Sequence, residues 1–193
     1  MGKPSALKLF LGSVLALALT ISGTTPAKAE GVVDTYTITY ETTGSTSGSA
    51  PATGSFDTEP DAATAGGTVS STAGSLVKTG YDFRGWSTSA NGAGTFYLPG
   101  ASITLSRNIT LFPAFGGTIT FSANGGTGVA ASATADYTLG RALTLPAVGT
   151  LARATYKFLG WRKDVASKSY QSGGSSYTVT DPATADFIMY STW

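Results

Sequence analysis

Asp57, Glu59 and Asp61 stand at alternate positions of the stretch DTEPD. Carboxylates so spaced offer the hard oxygen donors that Ca²⁺ prefers, which makes these three the candidate metal ligands. An EF-hand register fails, because its sixth and twelfth positions fall on Ala62 and Thr68. Carboxylate pairs also hydrolyse glycosides, so a small secreted hydrolase using Asp57, Glu59 or Asp61 is the enzymatic alternative. No acidic position of this group recurs elsewhere in the chain, and a solvated acidic loop accounts for it more simply. The rest of the catalytic vocabulary is thin. The chain has no His and no Cys, which removes Ser-His-Asp and Cys-His catalysis, disulfides and the commonest transition-metal ligand. We therefore expect no catalytic residue and no cofactor.

The second unusual stretch is YDFRGW, residues 81–86, which returns as YKFLGW at residues 156–161. In a regular strand Tyr81 and Phe83 share one face, and Trp86 falls on the other. Glycine inside a strand often marks a bulge that re-aims the next side chain. A bulge at Gly85 would return Trp86 to the face of Phe83, and one at Gly160 would do the same for Trp161 and Phe158. The residues between the aromatics change freely (Asp82 and Arg84 against Lys157 and Leu159). That pattern is one of packing. We predict Tyr81, Phe83, Gly85 and Trp86, with Tyr156, Phe158, Gly160 and Trp161, to be core-building residues. Phe115 and Trp193 join them as closing aromatics. An exposed aromatic platform stacking on sugars is the functional alternative.

The N-terminus reads as a secretory signal peptide. Lys3 and Lys8 precede the apolar run of residues 9–23, and Ala27-Lys28-Ala29 is a cleavage signal, so cleavage is expected after Ala29. The run is short for a membrane span, which takes about 20 residues. The mature chain would hold nine Lys and Arg against eleven Asp and Glu, a net charge of −2. No basic patch points to nucleic acid. Gly, Ser, Thr and Ala dominate what remains.

Trp86 and Trp161 are 75 residues apart, and the similarity runs well beyond the hexapeptide. YTITYETTG (36–44) resembles GTITFSANGG (117–126). Residues 65–86 resemble 139–161, and NITLFPAF (108–115) resembles FIMYSTW (187–193). Two homologous modules follow, 34–115 and 116–193, with Gly116-Gly117 as a short joint that can bend. The modules read as strand. Tyr36, Ile38 and Tyr40 alternate with threonines, as do Ile119 and Phe121, and Ile103, Leu105, Ile109, Leu111, Tyr177 and Val179 continue the period of two. Asn91-Gly92 and Asn124-Gly125 mark tight turns. Residues 42–55 read as a long flexible loop, and a short helix is allowed at 61–65. The fold class expected is mainly β, or β-rich α+β if that helix forms.

Gly80 to Trp86, followed by Thr110-Leu111-Phe112-Pro113-Ala114-Phe115, resembles the Listeria–Bacteroides repeat, also called the internalin-B-type B repeat. The second copy carries the same resemblance in Tyr156 to Trp161, with Thr155 in place of the leading Gly. It continues in Phe121-Ser122-Ala123-Asn124-Gly125-Gly126 and in Met189 to Trp193. The resemblance implies two tandem β-grasp-like modules on a secreted or surface protein of bacteria, without catalytic residues. The function expected is a non-enzymatic binding, adhesion or spacing element whose ligand is an unknown protein or surface glycan. Residues 34–115 carry three cations and six anions, and residues 116–193 carry six and four. The opposite net charges, −3 and +2, also allow head-to-tail self-association into a structural assembly.

Overall fold

The computed structural model describes residues 31–180, 182 and 184–193. The expected leader and its cleavage point after Ala29 lie outside these residues. Among the described residues every regular element is a strand. In order they are β1 (Thr35–Tyr40), β2 (Gly54–Asp57), β3 (Ala65–Thr68), β4 (Asp82–Ser87), β5 (Phe96–Tyr97) and β6 (Ser102–Leu105). They continue with β7 (Ile109–Ser122), β8 (Thr134–Thr138), β9 (Ala142–Thr144), β10 (Gly160–Arg162), β11 (Ser176–Thr178) and β12 (Phe187–Thr192). The chain is mainly β, as its periodicity requires.

The short helix allowed at 61–65 does not form. Pro60 precedes it, Asp61 sits at φ 62°, and Ala65 already opens β3. The loop after β1 also differs from expectation, because it is tied down. Thr46 N–H donates to Val77 O at 2.7 Å, Ser49 N–H to Ser75 Oγ at 2.9 Å, and Ser75 N–H returns to Ser49 O at 3.0 Å. The loop spends these backbone polar groups on the segment beside it.

β7 is the spine of the molecule. Its first half pairs in parallel with β1 (Ile38 beside Ile109) and antiparallel with β4. Its second half pairs in parallel with β12 (Ile119 beside Phe187) and antiparallel with β8. Gly116 pairs with Asp82 of β4 and with Thr138 of β8, so these two strands lie on opposite sides of β7. β2 extends the sheet beyond β1, and β10 extends it beyond β12. Each module thus repeats one plan: a central parallel pair flanked by antiparallel neighbours, in the orders β2-β1-β7-β4 and β8-β7-β12-β10. The small ladders β3–β6 and β9–β11 cap the two sheets in the same way.

The last strand of module one is therefore also the first strand of module two. The bendable joint expected at Gly116-Gly117 is the buried middle of a 14-residue strand. A side chain at Gly116 would run into the Tyr137 carbonyl, and one at Gly117 into the Ala185 carbonyl. Glycine is present here so that neighbouring backbone can approach closely. Each half keeps its own core. Ile38, Tyr40, Val69, Leu76, Trp86, Leu105, Leu111 and Phe115 form one cluster. Ile119, Phe121, Tyr137, Leu145, Trp161, Val179 and Met189 anchor the other.

Candidate functional site

The duplicated hexapeptide sits on β4 and on the approach to β10. The register of β4 against β7 slips between Phe83 and Gly85, which is the bulge the sequence called for. Gly85 has φ 149° and Gly160 has φ 148°, a backbone conformation that other residues rarely adopt. A Cβ at Gly85 would strike the Tyr97 carbonyl, and one at Gly160 the Gln171 carbonyl. The consequence is an aromatic cluster built twice. Phe83 meets Trp86 edge-on at 5.2 Å, and Phe158 meets Trp161 at 5.3 Å. Tyr40 tilts against Trp86 at 4.5 Å, and Phe121 against Trp161 at 4.8 Å. Phe115 and Trp193 close the two clusters at 6.1 and 5.9 Å from Phe83 and Phe158. Edge-to-face pairs of this kind add about 0.5–1.5 kcal/mol to what area burial supplies.

Both indoles are fully buried. Their N–H groups are satisfied by matching carbonyls: Trp86 Nε1 donates to Ser70 O at 3.1 Å, and Trp161 Nε1 to Pro146 O at 2.8 Å. A sugar platform needs exposed ring faces, and neither ring offers one. Phe83, Phe158 and Trp193 are half-buried against the same clusters.

The two tyrosines part company. Tyr81 is half-buried, and its hydroxyl donates to Pro182 O of the other module at 3.1 Å. Tyr156 is 57% exposed, so its expected place in the core is corrected. The sequence repeats, but among the described residues the neighbour that covers Tyr81 has no counterpart over Tyr156. What the tyrosines share is local. Each pairs across a tight turn with a cation stacked on its ring, Lys78 at 5.2 Å and Arg153 at 4.7 Å. The turn needs a positive φ, which Gly80 supplies at 82° and Thr155 at 65°.

The acidic group does not converge. Asp57 Oδ1 accepts from the Thr35 hydroxyl at 2.6 Å, Asp61 Oδ1 accepts from Gly31 N–H at 2.8 Å, and all three carboxylates point to solvent. Among the described residues no cluster of acidic, His or Cys side chains is arranged to hold a metal ion. Asp57 and Asp61 instead fasten the entry of the chain to the turn after β2. Asn108, which opens the glycosylation sequon Asn108-Ile109-Thr110, has a similar structural use. Asn108 Oδ1 accepts from Thr37 N–H at 2.9 Å, as Asp186 Oδ1 does from Thr118 N–H at 2.8 Å.

The seam between the modules was not legible as a site. Arg84 reaches Asp136 of the other module at 3.4 Å, and Arg141 of module two lies over the Phe96 ring at 4.4 Å. The Asn91-Gly92 turn abuts Leu139 and Gly140, beside a shallow cavity of about 300 Å³ that Phe115 and Pro113 also line. Burial pushes the Tyr137 hydroxyl up to about 12, with Tyr81 and Asp186 nearby adding to the effect. Burial also raises Tyr40, although the Ser70 N–H that its oxygen accepts works the other way.

A model of the Listeria-Bacteroides repeat domain matches residues 36–113 and again 118–190. The chain belongs to this family. Both matches enclose a hexapeptide, a bulge glycine and a buried tryptophan, so the Listeria-Bacteroides repeat is in physical terms the aromatic cluster and its sheet. The family is typically extracellular or surface-borne and typically non-catalytic. No curated protein and no solved structure matches the chain. No helix among the described residues is long and apolar enough to cross a membrane.

Proposed function

We propose that this protein is a non-enzymatic, secreted or cell-surface spacer and binding element, acting in adhesion or an extracellular matrix. One observation carries the reading: the residues that the two repeats share are consumed by the fold. The tryptophans, the phenylalanines and the bulge glycines build two cores, and the alternating apolar positions face them. Of the hexapeptide aromatics Tyr156 alone is largely exposed, and its ring is stacked against Arg153. The shared strand β7 supports the spacing role, because it couples the modules through backbone hydrogen bonds rather than through a flexible linker. The Thr- and Ser-rich exterior with little charge supports contact with a protein or glycan surface without a strong electrostatic demand. Export would follow from a leader cleaved after Ala29.

The test is made in the native cell. Fractionation should place the protein outside the membrane, starting at Glu30. Deleting its gene should weaken attachment or matrix formation, and the variant carrying Asp57→Ala, Glu59→Ala and Asp61→Ala should restore it fully. A cytoplasmic protein, or a turnover activity lost in that triple variant with the fold intact, refutes the reading.

A further inference from the structure

We propose that the protein bears tension along its chain, and that the two parallel ladders on β7 are the clamps that resist it. The inference rests on the spacer reading above, since tension matters to an element held between two attached points. It goes further by assigning the direction in which the fold is strong.

β1, β7 and β12 run in one direction, because β1 and β12 each pair with β7 in parallel. The two partners are staggered along it. β1 lies beside Ile109 to Leu111, at the start of β7, and β12 lies beside Ile119 to Ser122, at its end. A pull along the chain therefore enters at the upstream end of β1 and leaves at the downstream end of β12. β1 is drawn one way and β12 the other, with β7 between them. Both ladders are loaded along their strands, in shear. The bonds of a parallel ladder are evenly spaced, so shear strains them together.

Side chains lengthen the two ladders at the same place. Asn108 Oδ1 accepts from Thr37 N–H at 2.9 Å just upstream of the first, and Asp186 Oδ1 accepts from Thr118 N–H at 2.8 Å just upstream of the second. Glu41 N–H adds a bond to Leu111 O at 2.9 Å at the downstream end of the first. The middle of β7 is braced on both sides, by β4 along Phe112 to Gly116 and by β8 along Gly116 to Thr120. What joins the two ladders is thus a paired strand, which transmits a pull with little extension. Peeling is the contrasting geometry. Thr35 and Arg107 lie at the same end of the first ladder, both exposed. A pull between them opens that ladder one bond at a time.

Single-molecule force spectroscopy on the purified full-length chain separates these directions. The chain has no Cys, so introduced cysteines are the sole points for handles. Forced unfolding is governed by the unfolding rate, and the direction of pulling changes that rate while equilibrium stability stays the same. Three pairs of handles are compared at one loading rate. Thr35→Cys with a cysteine appended after Trp193 loads both ladders in shear. Arg107→Cys with the same appended cysteine loads the β7–β12 ladder alone, also in shear. Thr35→Cys with Arg107→Cys peels the β1–β7 ladder. The first pair should rupture at a force at least about twice that of the third, because evenly spaced bonds yield together and not singly. The second pair should rupture at the force of the first or above, since it loads one of two clamps that act in series. It also carries the Arg107→Cys change, so a weak third pair reports direction and not damage to the fold. Equal forces in all three directions overturn the proposal. So does a first pair that ruptures at or below the third, or a second pair that ruptures below the first. The spacer reading is tested in the cell and this one on the purified chain, so either can fail alone.

Discussion

Replacing Gly85 by Ala isolates what the bulge contributes. The residue sits at φ 149°, a region that costs an L-residue about 1–3 kcal/mol. The added methyl also meets the Tyr97 carbonyl and the Phe96 ring inside contact distance. Neither can yield freely, because Tyr97 pairs with Trp86 in the β4–β5 ladder. Overpacking of this kind costs about 1–3 kcal/mol. The two effects together give a loss of about 2–6 kcal/mol. Gly80→Ala is the control. Its φ is 82°, but nothing lies within 4 Å of the new methyl, so only the backbone strain of about 1 kcal/mol remains. Urea unfolding followed by tryptophan emission compares the two. If Gly85→Ala costs no more than Gly80→Ala, the close approach to Tyr97 is not what selects glycine, and the account of the hexapeptide fails.

Other expectations follow from the same geometry. Trp161→Ala should destabilise module two by about 3–5 kcal/mol, read as a shifted urea midpoint. Thr155→Gly should stabilise the protein by about 0.5–1 kcal/mol: relief of left-handed strain on a β-branched residue exceeds the added freedom of the unfolded chain. Tyr81→Phe should remove the bond to Pro182 O and cost about 0.5–1.5 kcal/mol, seen as weaker coupling in the unfolding of the two modules. Tyr137 should shape the alkaline limb of stability. Its folded value of about 12 lies above the ordinary value of 10.0, so the folded state holds its proton more tightly. That contribution is full below pH 10 and disappears as pH rises from about 10 to 12; Tyr137→Phe should flatten the slope in that window.

The repeat and the strands were legible because both are periodic. Ile38, Leu111, Ile119 and Met189 mark the inward face at every second residue, and two modules of one plan had to put both tryptophans in equivalent places. The bulge was legible because Phe83 and Trp86 fall on opposite faces of a regular strand, and glycine is the residue that repairs this. The seam was not. Gly116-Gly117 looks like a linker in sequence, and only the carbonyls of Tyr137 and Ala185 show why side chains are excluded there. Tyr156 misled for a related reason: repetition copies a residue's local partners, here the stacked Arg153, and not the module that covers its twin. The acidic triplet could be read as a metal site because spacing carries no information on where carboxylates point. Asp57 and Asp61 turn to Thr35 and Gly31, far apart in sequence and close in the fold.

The central claim is that the duplicated tryptophans build cores and leave no exposed ring face for a ligand. Exchange of the indole N–H protons tests it most directly. Trp86 and Trp161 are buried and bonded to Ser70 O and Pro146 O. After transfer of the folded protein into deuterated water, NMR should show both indole signals, assigned with Trp86→Phe and Trp161→Phe, persisting as long as the slowest backbone amides of β7. Loss of either signal before the first spectrum, with the β7 amides still protected, would contradict the account.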